Sequence, residues 1–336
     1  MAVGWRSLTT QSRAAPLLWQ GREMTELFRL LSLQDASTRV VMLSTASLAI
    51  AAALVGSLAI LRRRALVGDA VAHASLPGIC LAWFVAGDRS LAIMLLGAFV
   101  LGLASMGMMA LVHRLTKARE DATMAIAISG FFGLGIVLSR MIQNQPGGNR
   151  AGLDGFLFGK AASAVTSDAW LVFAVACVVV AIILALRKEF GLLCFDRDFA
   201  ASIGRPVQRL DALLLVLVAL VTVAGLPSVG VVLVVALLVI PPAAARCWSA
   251  SLGTMLVVAA VMGAVSAIIG TGLSAVLPPP SGAESGGWPT GPMIVLTAAA
   301  LLVISMVVAP ERGLLTALWR RQRLRSSASR SIGSTP

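Results

Sequence analysis

An aspartate and a histidine stand four residues apart in an otherwise apolar segment. Asp69 and His73 lie in GDAVAHASLPG, residues 68–78. On an α-helix, side chains four residues apart share a face about one turn apart. A carboxylate and an imidazole on one face can bind a divalent transition metal such as zinc, manganese or iron. The alternative is structural: Asp69 caps a helix beside the basic run Arg62–Arg64, and His73 is a hydrogen-bonded packing residue. Spacing alone leaves both interpretations open.

A second acidic pair, Glu120 and Asp121, follows the basic residues Lys117 and Arg119. Acidic residues are favoured at the N-terminus of a helix because the macrodipole is positive there, which gives a structural interpretation. The functional alternative is a cytoplasmic exit path lined with carboxylates. Nearby methionines are interpreted as packing residues rather than as soft metal ligands. They are Met106, Met108, Met109, Met124 and Met141.

The segment CFDRDFAASIGRPV, residues 194–207, predicts a short helix. Asp196 can act as its N-cap, and Gly204 can end it. Phe199 and Ile203 are four residues apart and then form an apolar face. An apolar face in a polar loop needs a cover, and two covers are open: a protein partner, or the helical bundle of this chain.

The composition identifies the kind of protein that must position these residues. Hydrophobic residues make up 58% of the 336-residue chain and charged residues only 12%, whereas soluble domains carry about 25% charged residues. This excludes a soluble globular protein and a disordered one. The apolar runs are long and do not alternate with polar residues, which excludes a membrane β-barrel. The sequence therefore predicts an all-α polytopic protein of the lipid bilayer.

Apolar stretches between charged or Pro/Gly-rich breaks give about nine candidate spans, with eight to ten as the expected range. The connection GLPSVG, residues 225–230, separates the sixth from the seventh, which are either two spans or the two parts of a broken hairpin. The nine stretches cover residues 40–61, 66–87, 91–112, 122–142, 169–186, 211–225, 229–247, 252–277 and 292–309.

The basic residues are distributed unevenly between the two sides of these spans. Of the 27 Lys and Arg residues, 18 fall on one side, 4 on the other and 5 before the first span. Because cytoplasmic loops are enriched in Lys and Arg, the first set is predicted to be cytoplasmic. It includes residues 187–211 and the C-terminus. The side of the N-terminus stays open, because its five arginines fit an outside location poorly. The same rule accounts for the net charge of +12 without a nucleic-acid partner.

Catalytic patterns are missing from the sequence, which contains no GxSxG, HExxH or phosphate-binding loop. The four cysteines are scattered and indicate neither disulfides nor a metal site. A membrane aspartyl protease requires two aspartates within the membrane, and Asp69 has no acidic partner deep in another span. The chain is therefore predicted not to be an enzyme.

Five segments, in order along the chain, resemble one family. They are GDAVAHASLPGICLAW (68–83), LDGFLFG (153–159), CFDRDFAASIGRPV (194–207), GLPSVGVVLVVALLVIPPAAAR (225–246) and PTGPMIVL (289–296). Together they resemble the permease subunits of bacterial ABC importers for manganese, zinc or iron, over about residues 34–315. The resemblance implies a type II ABC-importer permease fold similar to that of the cobalamin (vitamin B12) permease.

The resemblance also assigns roles to residues. Asp69 and His73 match the Asp and His of the permease cavity, which form a transient site for the transported manganese, zinc or iron; no permanently bound cofactor is implied. A coupling helix that seats in a groove of the ATPase is matched by Asp196, Phe199, Ala200, Ile203 and Gly204.

The family further implies partners and a location. They are a second permease subunit in a homo- or heterodimer, a cytoplasmic ABC ATPase dimer that hydrolyses ATP, and an extracytoplasmic metal-binding protein, all at the bacterial inner membrane. The alternative from another class is an ion-coupled secondary transporter of a small cation. Such a transporter should carry charges near the membrane midplane in both halves, whereas only the second span offers one.

Three regions are predicted along the chain. Residues 1–38 form an N-terminal extension, in which residues 25–33 have the spacing of an interfacial helix. Residues 39–312 form the transmembrane permease domain. Residues 313–336 form a basic cytoplasmic tail, rich in Arg and Ser and predicted to be disordered.

Overall fold

The computed structural model describes residues 36–86, 90–116, 119–144, 166–277 and 288–310, together with residues 313 and 316. Within these ranges the chain forms ten α-helices and no β-strand, which confirms the all-α class. The helices are α1 (Ala36–Leu61), α2 (Val67–Ala86), α3 (Leu91–Thr116), α4 (Glu120–Gln143), α5 (Thr166–Ala185), α6 (Arg187–Phe195), α7 (Arg197–Ser202), α8 (Val207–Trp248), α9 (Leu252–Val276) and α10 (Thr290–Val308). The predicted N-terminal interfacial helix lies outside the described residues, and so does the predicted disordered tail apart from residues 313 and 316.

Seven of these helices are long and apolar enough to cross a membrane: α1, α2, α3, α4, α8, α9 and α10. Helices α5 and α6 pass the same test together and give an eighth candidate, although they are bent by 66° at their junction. Each predicted span coincides with a helix, and the sixth and seventh both fall within α8. The number of nine membrane crossings stays a prediction.

The 42-residue helix α8 folds back on itself. Gly230 has φ 81° and ψ 167°, a conformation that is essentially restricted to glycine. A Cβ placed on Gly225 would lie 2.5 Å from the Cγ2 atom of Val234, although nine residues of straight helix cover about 13.5 Å. Helix α8 is therefore a hairpin with limbs 207–229 and 231–248. The break lies where GLPSVG predicts it.

Helices α1 and α8 form the core of the bundle. In each of them 67% of the most apolar stretch is buried, against 22% in α4 and α10. On α1 the small residues Ala49, Ala51, Ala52 and Ala53 are fully buried, so that neighbouring backbones can approach closely. The peripheral helices turn apolar side chains outward, as expected for helices in contact with lipid.

Helix α2 is held between α3 and α4 by close contacts. Gly78 faces the backbone of Gly97 on α3 so closely that a Cβ would have no room. On the other side, Gly135 of α4 lies against Pro77. These contacts fix the position of α2 along the axis of the bundle and thereby position its polar side chains.

One end of the bundle carries the basic connections and is called the basic end below. It consists of the turn 62–66, the adjoining ends of α3 and α4, and residues 187–211. Arg64 of the turn lies 3.6 Å from Glu120 at the start of α4, and one ion pair described below joins the same turn to residues 187–211. This is the end that the sequence predicts to be cytoplasmic.

Candidate metal path and coupling surface

Asp69 and His73 share one face of α2, as their spacing predicts. The Oδ1 atom of Asp69 and the Nε2 atom of His73 are 3.4 Å apart, and the side chains are 34% and 30% exposed. Both are therefore accessible from one side of the isolated chain. Asp69 is the third residue of α2, where its carboxylate also lies near the positive end of the helix dipole.

His73 has a buried ring nitrogen that lacks a hydrogen bond. The ring packs edge-on against Phe132 of α4, with ring centroids 4.9 Å apart and planes at 77°. The Nδ1 atom is buried and has no hydrogen-bond partner among the described residues. An unpaired buried polar group costs about 1–3 kcal/mol, so a histidine kept for packing would be expected to bond this atom. The ring nitrogen that faces the Asp69 carboxylate is Nε2.

Within the described residues this face supplies two side chains that can bind a metal ion, Asp69 and His73. No group of three or more His, Cys, Asp or Glu in that part of the chain could hold a metal ion. Pro77 has no N–H to donate to the carbonyl oxygen of His73, four residues earlier. A site with two side-chain ligands binds weakly, which suits an ion that must enter and then leave.

A cavity of about 70 Å³ lies at the basic end, with walls from α2, α3, α4 and α8. Glu120, His113 and Arg64 line it, and the Oε1 atom of Glu120 lies 3.6 Å from the Nη2 atom of Arg64. Asp121 is exposed and is not among the described lining residues. The structure thus separates the two predicted exit residues: Glu120 faces the cavity and Asp121 faces the surface.

Three of the five methionines form an apolar wall of this cavity. Met106, Met109 and Met124 are at most 8% exposed and line the cavity beside Glu120. Met141, in contrast, is 54% exposed. The burial of the first three agrees with the packing role predicted for them.

The short helix α7 begins and ends where the sequence predicts. Asp196 is its N-cap, and its Oδ1 atom accepts a hydrogen bond from the Phe199 N–H at 2.9 Å. Beyond the helix, Gly204 has a φ of 77°, the left-handed conformation that glycine adopts most readily at helix ends. Its N–H donates to the carbonyl of Ala201 at 3.0 Å.

The apolar face of α7 is open. Phe199 and Ile203 are 53% and 50% exposed, and Phe195, the last residue of α6, is 69% exposed. These three residues are called the coupling face below. Ala200 is only 1% exposed, so α7 rests on the bundle through this small residue. Within the described residues, the bundle of this chain leaves about half of the Phe199 and Ile203 side chains uncovered.

Two ion pairs that sequence reasoning missed hold α7 against the bundle. The Nη2 atom of Arg197 is 3.3 Å from Oδ2 of Asp211 on α8. The Nη1 atom of Arg205 is 3.0 Å from Oε1 of Glu189 on α6. All four residues are visible as charges in the sequence, but charge alone does not say which pairs form.

Comparison with known families identifies the class of protein. The family model described as ABC 3 transport family matches residues 34–309. The chain belongs to the ABC 3 transport family. Of the five segments that carried the resemblance, residues 153–159 lie outside the described part of this ABC 3 permease.

Relatives of this ABC 3 permease cover most of the chain. The manganese transport system membrane protein MntC of Bacillus subtilis (strain 168) is 41% identical over 300 residues, 89% of this chain and 67% of the relative. The zinc transport system membrane protein TroC of Treponema pallidum (strain Nichols) is 40% identical over 301 residues, 90% of this chain and 98% of the relative. The chelated iron transport system membrane protein YfeD of Yersinia pestis is 34% identical over 249 residues, 74% and 77% of the two chains.

A solved structure shares the fold. PsaBC from Streptococcus pneumoniae in complex with Fab matches with a TM-score of 0.72 and 28% identity, over 86% of this chain and 97% of that chain. The predicted family and the predicted helical permease fold are therefore confirmed. The specific likeness to the cobalamin permease stays a prediction. In this ABC 3 permease the Asp–His pair lies on α2, whereas Phe199 of the coupling face lies on α7.

Proposed function

We propose that this chain is the membrane-spanning permease subunit of an ABC importer for a divalent transition metal ion: manganese, zinc or iron. The names of the three relatives above support this range of metals. The observation that carries the proposal is the Asp69–His73 pair, in which a carboxylate and an imidazole share one face of a membrane helix.

The metal path runs past this pair. A charged side chain that faces lipid costs at least about 2.5 kcal/mol on insertion scales, so the exposed side of the pair opens onto water or protein rather than lipid. We place it at the interface with a second permease subunit, in a homo- or heterodimer. The transported ion then binds transiently between the subunits, to Asp69 and His73.

The exit of this path lies at the basic end. Glu120 is its inner residue, because it lines the cavity together with His113, and Asp121 lies at its mouth. Arg64 neutralises the Glu120 carboxylate while no metal ion is present. A divalent cation that arrives from Asp69 competes with the guanidinium for this carboxylate and then leaves into the cytoplasm.

Energy for transport enters through α7. A cytoplasmic ABC ATPase dimer covers the coupling face and seats the helix that Asp196 and Gly204 delimit. Fully burying a large apolar side chain contributes about 1.5–3 kcal/mol. Phe199 and Ile203 are each half exposed, so covering each of them contributes roughly half of this free energy. That is a substantial part of the binding free energy of a modest interface.

The remaining partners follow from the same proposal. An extracytoplasmic metal-binding protein delivers the ion, and ATP hydrolysis takes place in the ATPase rather than in this chain. The permease lies in the bacterial inner membrane with the basic end and the C-terminus in the cytoplasm. It needs no permanently bound cofactor, because the metal is its cargo.

A bacterial strain that lacks this gene tests the proposal. The chain is restored together with the ATPase and the binding protein, and the cellular contents of manganese, zinc and iron are measured. We expect one of the three to accumulate, and only when the phosphate-binding loop of the ATPase is intact. Accumulation that does not depend on the ATPase would support the ion-coupled secondary transporter instead. No accumulation of any of the three would contradict metal transport.

A further inference from the structure

Asp211, near the start of α8, is bonded to arginines from two other parts of the chain. The Nη2 group of Arg62 donates to both carboxylate oxygens, at 2.8 Å to Oδ1 and 3.1 Å to Oδ2. The Nη2 atom of Arg197 lies 3.3 Å from Oδ2. The side chains of Arg62 and Asp211 are only 13% and 12% exposed. These three residues are called the arginine–aspartate cluster below.

The cluster joins the two functional parts of the permease. Arg197 is the first residue of α7, directly after its N-cap. Arg62 follows the last residue of α1, and its Nη1 group also donates to the carbonyl oxygen of Leu193 on α6 at 3.1 Å. A single carboxylate therefore connects the helix that bears the coupling face to the turn that leads into α2.

The turn between Arg62 and α2 is short and internally bonded. Arg63 has a φ of 59°, which residues other than glycine rarely adopt. The N–H of Arg64 donates to the carbonyl of Ala59 at 2.8 Å. A turn that is held in this way moves as a unit, so a displacement of Arg62 reaches the first turn of α2, which contains Asp69.

The cluster leaves one donor unbonded. The Nε atom of Arg62 is buried and has no hydrogen-bond partner among the described residues. In addition, two guanidinium groups face one carboxylate, so the cluster carries an excess positive charge. Buried polar networks that are incompletely satisfied are less stable than closed ones. Of the two arginines, Arg197 is the more exposed, at 52% against 13% for Arg62, and is the one that can leave Asp211 as α7 moves.

We propose that Asp211 is a positioning residue that transmits the movement of α7 to α2 and so couples ATP hydrolysis to the Asp69–His73 pair. This inference rests on the proposed function, because it requires an ATPase docked on the coupling face. Asp211 contacts neither the metal nor the ATPase; it acts through Arg62 and Arg197. Its signature is the number of metal ions moved per ATP hydrolysed, which a residue that only maintains the fold would not change.

The test uses the full permease assembled with its ATPase and binding protein in lipid vesicles. Uptake of manganese and of zinc is measured in the same vesicles as ATP hydrolysis, for the wild type and for Asp211→Asn. We expect the variant to hydrolyse ATP and to move about tenfold less metal per ATP, a size typical of coupling between two sites. Asp211→Glu, which keeps the charge, should recover part of the ratio.

Glu189→Gln is the matched control. It breaks the ion pair between Glu189 and Arg205, which also holds the α7 region but does not reach the turn before α2. We expect this variant to keep the wild-type ratio of metal to ATP. An equal loss of the ratio in both variants would overturn the proposal, since any anchor of the loop would then have the same effect.

Arg197→Gln covers the case in which Asp211→Asn fails to fold. Arg197 is 52% exposed, so its replacement removes the link to α7 and leaves the buried Arg62–Asp211 pair intact. We again expect about a tenfold loss in the number of metal ions moved per ATP, the size typical of coupling between two sites. A wild-type number of metal ions per ATP in this variant would overturn the proposal. A wild type that takes up no metal with ATP would instead contradict the proposed function itself.

Discussion

At the scale of single residues, the bonding of His73 carries the most information. Its Nε2 atom faces Asp69 at 3.4 Å, and its Nδ1 atom is buried without a partner in the described structure. The sequence could predict that the two side chains share a face, because a spacing of four fixes this on any helix. It could not predict the unbonded nitrogen, because the contact with Phe132 comes from α4, a separate helix.

We expect Asp69→Ala and His73→Ala each to lower metal uptake strongly. Each change removes one of two side-chain donors, and disturbing the groups that hold a metal ion commonly costs about 10–100-fold in affinity or activity. The measurement is the initial rate of manganese or zinc uptake in cells that contain equal amounts of permease. Co-purification of the ATPase should be unchanged.

Ser75→Ala is the control for this pair of variants. Ser75 is buried on the same helix, and its hydroxyl donates to the carbonyl of Val71, so the change removes a polar group without touching the pair. We expect uptake to be retained. Wild-type uptake in both Asp69→Ala and His73→Ala would refute the metal path, and reduced permease yield in place of reduced uptake would favour a packing role.

At the scale of elements, the sequence predicts well what depends on neighbouring residues. Long apolar runs mark the helices, because a membrane span needs about 20 apolar residues. The limits of α7 follow from a cap and a glycine within the same nine residues, Asp196–Gly204. The 66° bend between α5 and α6 was not predicted, because no proline or glycine pair marks it in the sequence.

The coupling face provides a prediction for α7. Phe199→Asp should abolish ATP-driven uptake and weaken co-purification of the ATPase, because an unpaired charge would enter an apolar groove. Losing even 1.4 kcal/mol of this contact weakens binding by about tenfold. Co-purification and uptake are measured together, with permease insertion checked by membrane fractionation.

Ala201→Asp is the matched control on α7. Ala201 is exposed and lies two residues from Phe199, away from the coupling face, so the same charge is added elsewhere on the helix. We expect the ATPase to co-purify. Normal co-purification and uptake in Phe199→Asp would mean that the energy-coupling contact lies elsewhere, with the turn 62–66 and the connection 114–121 as the next candidates.

The reversal of α8 provides a prediction on stability. Gly230→Ala places a side chain where φ is 81° and ψ is 167°, which costs about 1–3 kcal/mol. The midpoint of thermal unfolding of the purified permease should fall. Gly253→Ala, at a helical glycine with nothing within 4 Å of an added Cβ, should leave the midpoint unchanged or raise it. A Gly230→Ala variant as stable as the wild type would contradict the hairpin turn.

At the scale of the whole molecule, the structure depends on contacts that no local pattern reveals. Arg62 and Asp211 are 149 residues apart in sequence and meet only because α8 packs along α1. The central position of α1 was also not predicted, since α9 and α10 are more apolar, with mean hydropathies of 2.3 and 2.4 against 2.0, and yet remain peripheral. The sequence identifies which segments enter the membrane, and packing decides which of them form the core.

ATP-driven metal import by this chain is the central claim, and reconstitution tests it most directly. The permease and its ATPase are placed in lipid vesicles with ATP inside, and the binding protein loaded with manganese or zinc is added outside. A fluorescent chelator in the lumen reports the metal that enters. We predict accumulation with ATP, none with a non-hydrolysable analogue, and strongly reduced accumulation with Asp69→Asn in place of the wild type. Accumulation at the same rate without ATP, or no accumulation of either metal by the wild type, would contradict the account.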